Sequence, residues 1–331
     1  MDPYRVYVTR RIPKPGLDLL AECCEVEVNA EDRPLPRTRL LEKARDVDGV
    51  IGLLTDRIDA EFFGAAERLK GYANYAVGLD NVDLAEATRR GVPVSNTPDV
   101  LTNATAEMAW ALLLAVCRRV TESDRVMRAG RWTGWGPLQF LGTGVTGRTL
   151  GIVGAGRIGT AMALMSRGFS MPVLYHSPSA NPVLEKELSA RRVDFDTLLA
   201  ESDYISLHAP LTPQTRHLFG TEAFAKMKPT AYLINTSRGP LIHESRLVEA
   251  LKEGRIAGAG LDVYEREPEM AQGLSELDNV VFTPHTGSAT VAARTDMALL
   301  AARNLLAMLR GERAKNCVNP EVYESKSPSG S

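Results

Sequence analysis

The chain has 331 residues, 44% of them hydrophobic and 24% charged, and its 39 basic and 41 acidic side chains leave a formal charge of −2. That length exceeds the usual single core and points to two domains, and the near-neutral balance gives no electrostatic reason to expect nucleic acid or an anionic membrane as a partner. No run reaches the roughly 18 consecutive apolar residues that a bilayer span needs.

The start Met1-Asp2-Pro3-Tyr4-Arg5 lacks a secretory layout. Cys23, Cys24, Cys117 and Cys317 form neither a CxxC nor a disulfide framework. A reducing cytoplasm is therefore the expected setting. In chain order, Arg5–Thr9 is a first strand, Gly16–Cys23 a helix, and Cys24–Val28, Val50–Leu54 and Pro93–Ser95 further strands. Short apolar runs alternating with helical stretches imply α/β layers on parallel sheets, here a flavodoxin-like domain of about 100 residues. Ala104–Val120 is a long apolar helix that Thr102 or Asn103 can cap. Its apolar residues cover more than one face, so burial at a domain or subunit boundary is expected. A second unit then begins with strand Leu150–Val153, helix Ile158–Arg167 and strand Val173–His176. It continues with strands at Tyr204–Leu207, Ala231–Asn235, Gly260–Val263 and Val280–Thr283, the succession of a dinucleotide-binding sheet. A last helix runs Ala292–Leu309, and Ser325–Ser331 has the Ser/Pro/Gly composition of a disordered tail.

Gly154-Ala-Gly156-Arg157-Ile158-Gly159 is a GxGxxG that follows an apolar strand and opens a helix, the context this weak motif requires. Gly154 permits the tight turn, Gly156 lets the backbone approach a pyrophosphate, and Gly159 allows close helix–strand packing. The N–H groups of the opening helix would face the phosphates. The fingerprint normally continues with an acidic residue about 20 positions on, which binds the adenosine ribose. No acidic residue occurs from Thr160 to Leu184, and Ser177 stands where it would be expected. His176, Ser177 and Ser179 could donate to a 2′-phosphate, although no arginine sits in that stretch to clamp it. The expected cofactor is NADP or NAD, the balance tilting toward NADP.

Three later segments each put a polar residue just past a strand: Asn235-Thr-Ser-Arg238-Gly239, Gly260-Leu-Asp262-Val-Tyr-Glu265-Arg-Glu267-Pro268 and Thr283-Pro284-His285-Thr286-Gly287. Ligands of open α/β sheets bind at such carboxyl ends. Singly, Arg238 could be a surface ion pair, Glu267 a solvated turn and His285 a core histidine. Together in one cofactor domain they point to catalysis.

With Val77-Gly-Leu-Asp-Asn-Val-Asp83, Asn96-Thr-Pro-Asp-Val-Leu-Thr102 and Ala104-Thr-Ala-Glu107, these segments make the chain resemble, along nearly its whole length, the D-isomer-specific 2-hydroxyacid dehydrogenases. Within them it is most similar to glyoxylate/hydroxypyruvate reductases. The resemblance implies two Rossmann/flavodoxin-like domains with an active site in the interdomain cleft: a discontinuous substrate domain of residues 1–100 plus 291–331, and a dinucleotide-binding domain of 101–290. It implies that Arg238 grips the substrate carboxylate, that His285 is the general acid, and that Glu267 is its carboxylate partner. A planar carboxylate suits a guanidinium fork, an imidazolium suits proton donation near neutral pH, and a neighbouring carboxylate favours the charged ring. The hydride would come from the cofactor, with no metal needed.

The resemblance further implies that the backbone at Val77 and Gly78 binds the substrate carboxylate and that Leu53 walls the pocket. Asp262 would contact the nicotinamide amide, and Thr105, Pro210, Thr236 and Gly287 would line the cofactor. It implies a homodimer formed through the Ala104–Val120 region. Trp135 resembles a loop tryptophan that reaches a neighbouring subunit's site, and a plain interface or core aromatic is the other reading. The expected reaction is NAD(P)H-dependent reduction of a small 2-oxo acid to the D-2-hydroxy acid. Alternatives are a D-lactate, phosphoglycerate or phosphite dehydrogenase, or a nucleotide-sensing corepressor-like binding protein. Phosphite is disfavoured because such enzymes carry lysine where this chain has Val77.

Overall fold

The structure, a computed structural model, describes residues 3–324; the tail Ser325–Ser331 lies outside the described residues. The chain folds as two units, one of Met1–Leu101 with Ala289–Ser331 and one of Thr102–Ser288. The first unit opens with β1 (Tyr4–Val8), α1 (Lys14–Ala21), β2 (Cys24–Val28), α2 (Arg37–Ala44), β3 (Gly49–Gly52) and α3 (Ala60–Ala65). It continues with β4 (Gly71–Asn74), α4 (Leu84–Arg89) and β5 (Val94–Ser95). Its five strands are parallel in the order β2-β1-β3-β4-β5, the flavodoxin-like winding. β4, Gly-Tyr-Ala-Asn, is not expected from the sequence, because glycine, alanine and asparagine are all weak strand formers.

The second unit begins with α5 (Thr102–Cys117) and α6 (Val120–Arg128). The single helix expected over Ala104–Val120 is thus two. The break falls at Arg119, which takes a left-handed φ of 53° and turns its guanidinium onto Glu122 at 2.8 Å. Thr102 and Asn103 lie inside the first turn of α5. The apolar girth of α5 is explained within the unit, where it packs on the sheet and on the helix after the glycine turn. Trp110 and Leu113 belong to that core.

The rest of this unit runs β6 (Leu150–Val153), α7 (Arg157–Met165), β7 (Val173–His176), α8 (Pro182–Leu188), β8 (Arg191–Arg192), α9 (Phe195–Glu201) and β9 (Tyr204–Leu207). It ends with α10 (Thr221–Lys226), β10 (Tyr232–Asn235), α11 (Glu244–Lys252), β11 (Gly258–Leu261) and β12 (Val280–Phe282). The sheet order is β12-β11-β10-β9-β6-β7-β8, all parallel. It reverses direction between β6 and β9, the switch point at which such sheets bind dinucleotides.

The chain then returns to the first unit as α12 (Val291–Leu309), whose N-cap Thr290 accepts the Ala293 N–H at 3.1 Å, and closes with α13 (Glu321–Glu324). α12 lies on α1, β3 and β4 and is tied to β4's exit by Tyr75, whose hydroxyl donates to the Arg294 carbonyl at 2.7 Å. No helix among the described residues is long and apolar enough to cross a membrane.

Candidate active site

The glycine turn sits between β6 and α7, and each glycine meets a different steric demand. Gly154 has a φ of +94°, and a Cβ there would lie 2.5 Å from the Ala209 nitrogen. A Cβ on Gly159 would lie 2.2 Å from the Gly154 carbonyl oxygen, so the helix can seat on the strand only without one. A Cβ on Gly156 would meet nothing within 4 Å, and Gly156 and Arg157 are exposed while Ile158 is half-buried. That open face at a nine-residue helix start is the space a pyrophosphate would fill. The Gly154 N–H donates to the His176 carbonyl at 2.9 Å, which joins the turn to the end of β7. Across the switch point, the Ser237 hydroxyl donates to the Ala209 carbonyl at 2.5 Å. This links the Pro210 loop to the Thr236–Arg238 loop. Thr236 contributes a buried Oγ1 without a hydrogen-bond partner among the described residues, and a buried hydroxyl normally has one. An open glycine face, a helix start and an orphaned hydroxyl together fit a dinucleotide.

At the end of β7, the His176 ring stands 3.2 Å by Nδ1 from the Val193 carbonyl, which makes Nδ1 the protonated nitrogen. The ring packs on Phe195. The 176–179 stretch holds no arginine of its own, but the next strand brings one beside it. β8 pairs with β7 so that Arg192 faces Tyr175, and its guanidinium donates to the carbonyls of Ser177 at 3.1 Å and Pro178 at 2.6 Å. A motif scan along the chain has no means of finding Arg192, because only the strand pairing brings it beside Ser177.

Three strands deliver the polar cluster. Arg238 follows β10; its carbonyl accepts from the Asn235 amide at 2.9 Å. Its Nη1 donates to the Ser237 carbonyl at 2.8 Å. A Cβ on the next residue, Gly239, would lie 1.9 Å from the Tyr264 carbonyl. The backbone after Arg238 therefore touches the backbone that leads to Glu267. Glu267 Oε1 accepts the Tyr264 N–H at 3.1 Å, and Oε2 accepts from His285 Nδ1 at 2.9 Å. Burial opposes ionisation of Glu267. The hydrogen bond and charge of His285, the Tyr264 N–H and the Arg238 charge outweigh it and hold the carboxyl below its ordinary range. The pairing with Glu267 engages Nδ1 of His285 and leaves Nε2 outside it.

His285 adopts a left-handed φ of 53°, an uncommon setting for a non-glycine residue that persists only where its surroundings enforce it. Asp262, only 1% exposed, is what enforces it. Its Oδ1 accepts from the Thr283 hydroxyl at 2.5 Å and the Thr286 N–H at 2.7 Å, and its Oδ2 from the Gly287 N–H at 2.7 Å. The His285 N–H closes the arch on the Asp262 carbonyl at 2.8 Å. A Cβ on Gly287 would lie 3.1 Å from the Asp262 carboxylate and 3.3 Å from the Thr105 methyl, so Thr105, Asp262 and Gly287 meet. This anchoring role of Asp262 was not visible in the sequence.

In the first unit, the Leu53 N–H donates to Asp56 at 2.8 Å. The carbonyls of Val77 and Gly78 accept from Asn96 and Asn74, both at 2.8 Å. Those amides fix the peptide edge at 77–78. Trp135 is 84% exposed, which rules out a core role within the described chain.

Residues 110–287 match the family model "D-isomer specific 2-hydroxyacid dehydrogenase, NAD binding domain". A glyoxylate reductase of Thermococcus litoralis is 51% identical over 328 residues, covering 98% of this chain and 99% of that protein. Among solved structures, a protein from Thermus thermophilus superposes with a TM-score of 0.88 at 45% identity, covering 95% of this chain and 99% of that one. An NADPH-dependent glyoxylate/hydroxypyruvate reductase from Sinorhizobium meliloti, solved with NADP and malonate, gives a TM-score of 0.84 at 32% identity. That match covers 96% of this chain and 97% of the other.

Proposed function

The chain belongs to the D-isomer specific 2-hydroxyacid dehydrogenase family, and from that premise we propose that it reduces small 2-oxo acids of the glyoxylate and hydroxypyruvate type to 2-hydroxy acids, with D configuration where C2 is a stereocentre. The observation that carries this reading is the 2.9 Å pairing of Glu267 with His285 Nδ1, on strand ends of a sheet that also bears the open glycine turn.

In this mechanism the Arg238 guanidinium holds the substrate carboxylate and draws electron density from the carbonyl. His285 delivers the proton from Nε2 to the carbonyl oxygen, and Glu267 keeps the ring oriented and its charged form favoured. The nicotinamide, when bound, supplies the hydride to C2. Gly154, Gly156, Arg157, Ile158 and Gly159 would hold the pyrophosphate. Thr105, Pro210, Thr236, Asp262 and Gly287 would line the nicotinamide side, and His176 and Ser177 the adenosine side. Residues 1–100 with 291–331 would act as the substrate domain, contributing Leu53 and the Val77–Gly78 backbone, and 101–290 as the dinucleotide domain.

Arg192 supports the tilt toward NADP, since its cation lies against the loop where a ribose-binding acid is missing. Free thiols at all four cysteines agree with a reducing cytoplasm. The exposed Trp132, Trp135, Leu138 and Leu141 favour a homodimer in which a partner covers this stretch. The test is the purified protein with NADPH or NADH and glyoxylate, hydroxypyruvate or pyruvate, followed by loss of nicotinamide absorbance. The reading expects faster turnover with the first two acids and loss of turnover by orders of magnitude in His285→Gln with dinucleotide affinity retained. A pyruvate rate far above both, or near-full activity in the variant, would overturn it.

A further inference from the structure

We infer that Glu244 is a positioning residue that holds Glu267 against His285; the inference rests on the catalytic reading above. The segment that carries Glu267 is poorly supported by packing, because Arg266–Met270 are all exposed. Beside the Glu269 N–H bond to the Arg266 carbonyl at 2.8 Å and the Tyr264 N–H bond to Glu267, its hold comes from one buried side chain. Glu244, 4% exposed at the start of α11, accepts the Glu265 N–H on Oε1 at 2.5 Å and the Ala271 N–H on Oε2 at 2.9 Å. One carboxylate thus pins both ends of the exposed turn, with Glu267 between them.

The tether is reciprocated. Glu265 Oε2 accepts the Glu244 N–H at 3.1 Å, and its Oε1 pairs with His217 Nε2 at 2.7 Å. Burial opposes ionisation of Glu265; its backbone bond at Glu244 and the pairing with His217 outweigh it and keep the carboxyl below its usual range. The His217 ring in turn packs on His243, with centroids 4.6 Å apart. Each end of the turn needs an acceptor facing a backbone N–H, and both acceptors are supplied by one side chain. A carboxylate meets that demand, whereas a carboxamide would set an N–H against an N–H at one end. Loss of one anchor would let the turn swing and carry Glu267 out of reach of Nδ1, leaving the imidazole without its orienting partner.

The test is a double-mutant cycle on the full chain with its dinucleotide: Glu244→Gln, Glu267→Gln and the pair, read as kcat with glyoxylate and as dinucleotide Kd. Glu244→Gln should lower kcat by roughly 10- to 100-fold, the scale of a displaced catalytic group, with Kd unchanged. In the Glu267→Gln background the same substitution should cost almost nothing further, because the group it positions is already disabled. A merely structural role predicts equal losses in both backgrounds, or a loss that follows Kd, and either result overturns the inference. If Glu267→Gln retains full kcat, the catalytic reading falls and takes the inference with it; a lowered kcat there beside an intact Glu244→Gln removes the inference alone. Should Glu244→Gln fail to fold, Glu244→Asp keeps the charge but is one methylene too short to span both N–H groups. It should show a smaller loss with the same non-additivity, and additive losses there would equally sink the proposal.

Discussion

Asp262→Asn tests how the fold enforces the conformation of His285. The carboxylate is 1% exposed and receives the Thr283 hydroxyl, the Thr286 N–H and the Gly287 N–H at 2.5–2.7 Å. An asparagine loses least if its carbonyl oxygen replaces Oδ1, but its NH2 then opposes the Gly287 N–H. One hydrogen bond to an anion is lost, a buried donor is stranded, and the remaining bonds become neutral. Hydrogen bonds to charged groups are worth about 1.5–3 kcal/mol each, so the net cost is roughly 3 kcal/mol. For a unit of this size that corresponds to a fall of roughly 6–12 °C in its melting temperature. Scanning calorimetry measures the fall, and kcat with glyoxylate reports the accompanying release of His285 from its left-handed setting. An unchanged melting transition with undiminished kcat would refute the claim that this carboxylate holds the His285 loop.

Gly156→Ala and Gly159→Ala should separate binding from folding. The first adds a methyl to open space and should weaken dinucleotide binding without lowering the melting temperature. The second drives a methyl to 2.2 Å from a carbonyl oxygen and should destabilise the unit by about 1–3 kcal/mol or more; dinucleotide titration and thermal melts on both variants check this. Arg192→Ala and Ser177→Asp should each shift the ratio of NADPH to NADH turnover toward NADH, the first by removing a cation and the second by adding an anion. An unchanged ratio in both would place selectivity elsewhere. Glu267 is held below its ordinary range in the folded chain. Its contribution to stability is therefore present above the unfolded value of about 4.3 and is lost as pH falls through the lower folded value. Melting curves across that window should be flatter for Glu267→Gln than for the parent, and identical slopes would contradict the pairing.

What could be read along the chain was whatever depends on a few consecutive residues. A glycine turn between a strand and a helix is such a feature, because φ, steric room and helix start are all local, and so are polar residues just past apolar strands. Nearly all the strands of both sheets were recognisable in this way, and so were the positions of Arg238, Glu267 and His285. β4, a Gly-Tyr-Ala-Asn run of weak strand formers, the two-residue β8 and the break at Arg119 were not. Nor could the chain disclose that Asp262 braces the His285 loop, that Arg192 stands beside Ser177, or that Glu244 ties down the turn bearing Glu267. Those adjacencies join segments 15 to 27 residues apart through strand order and register, which are set by the cooperative packing of whole sheets and leave no mark on either segment alone.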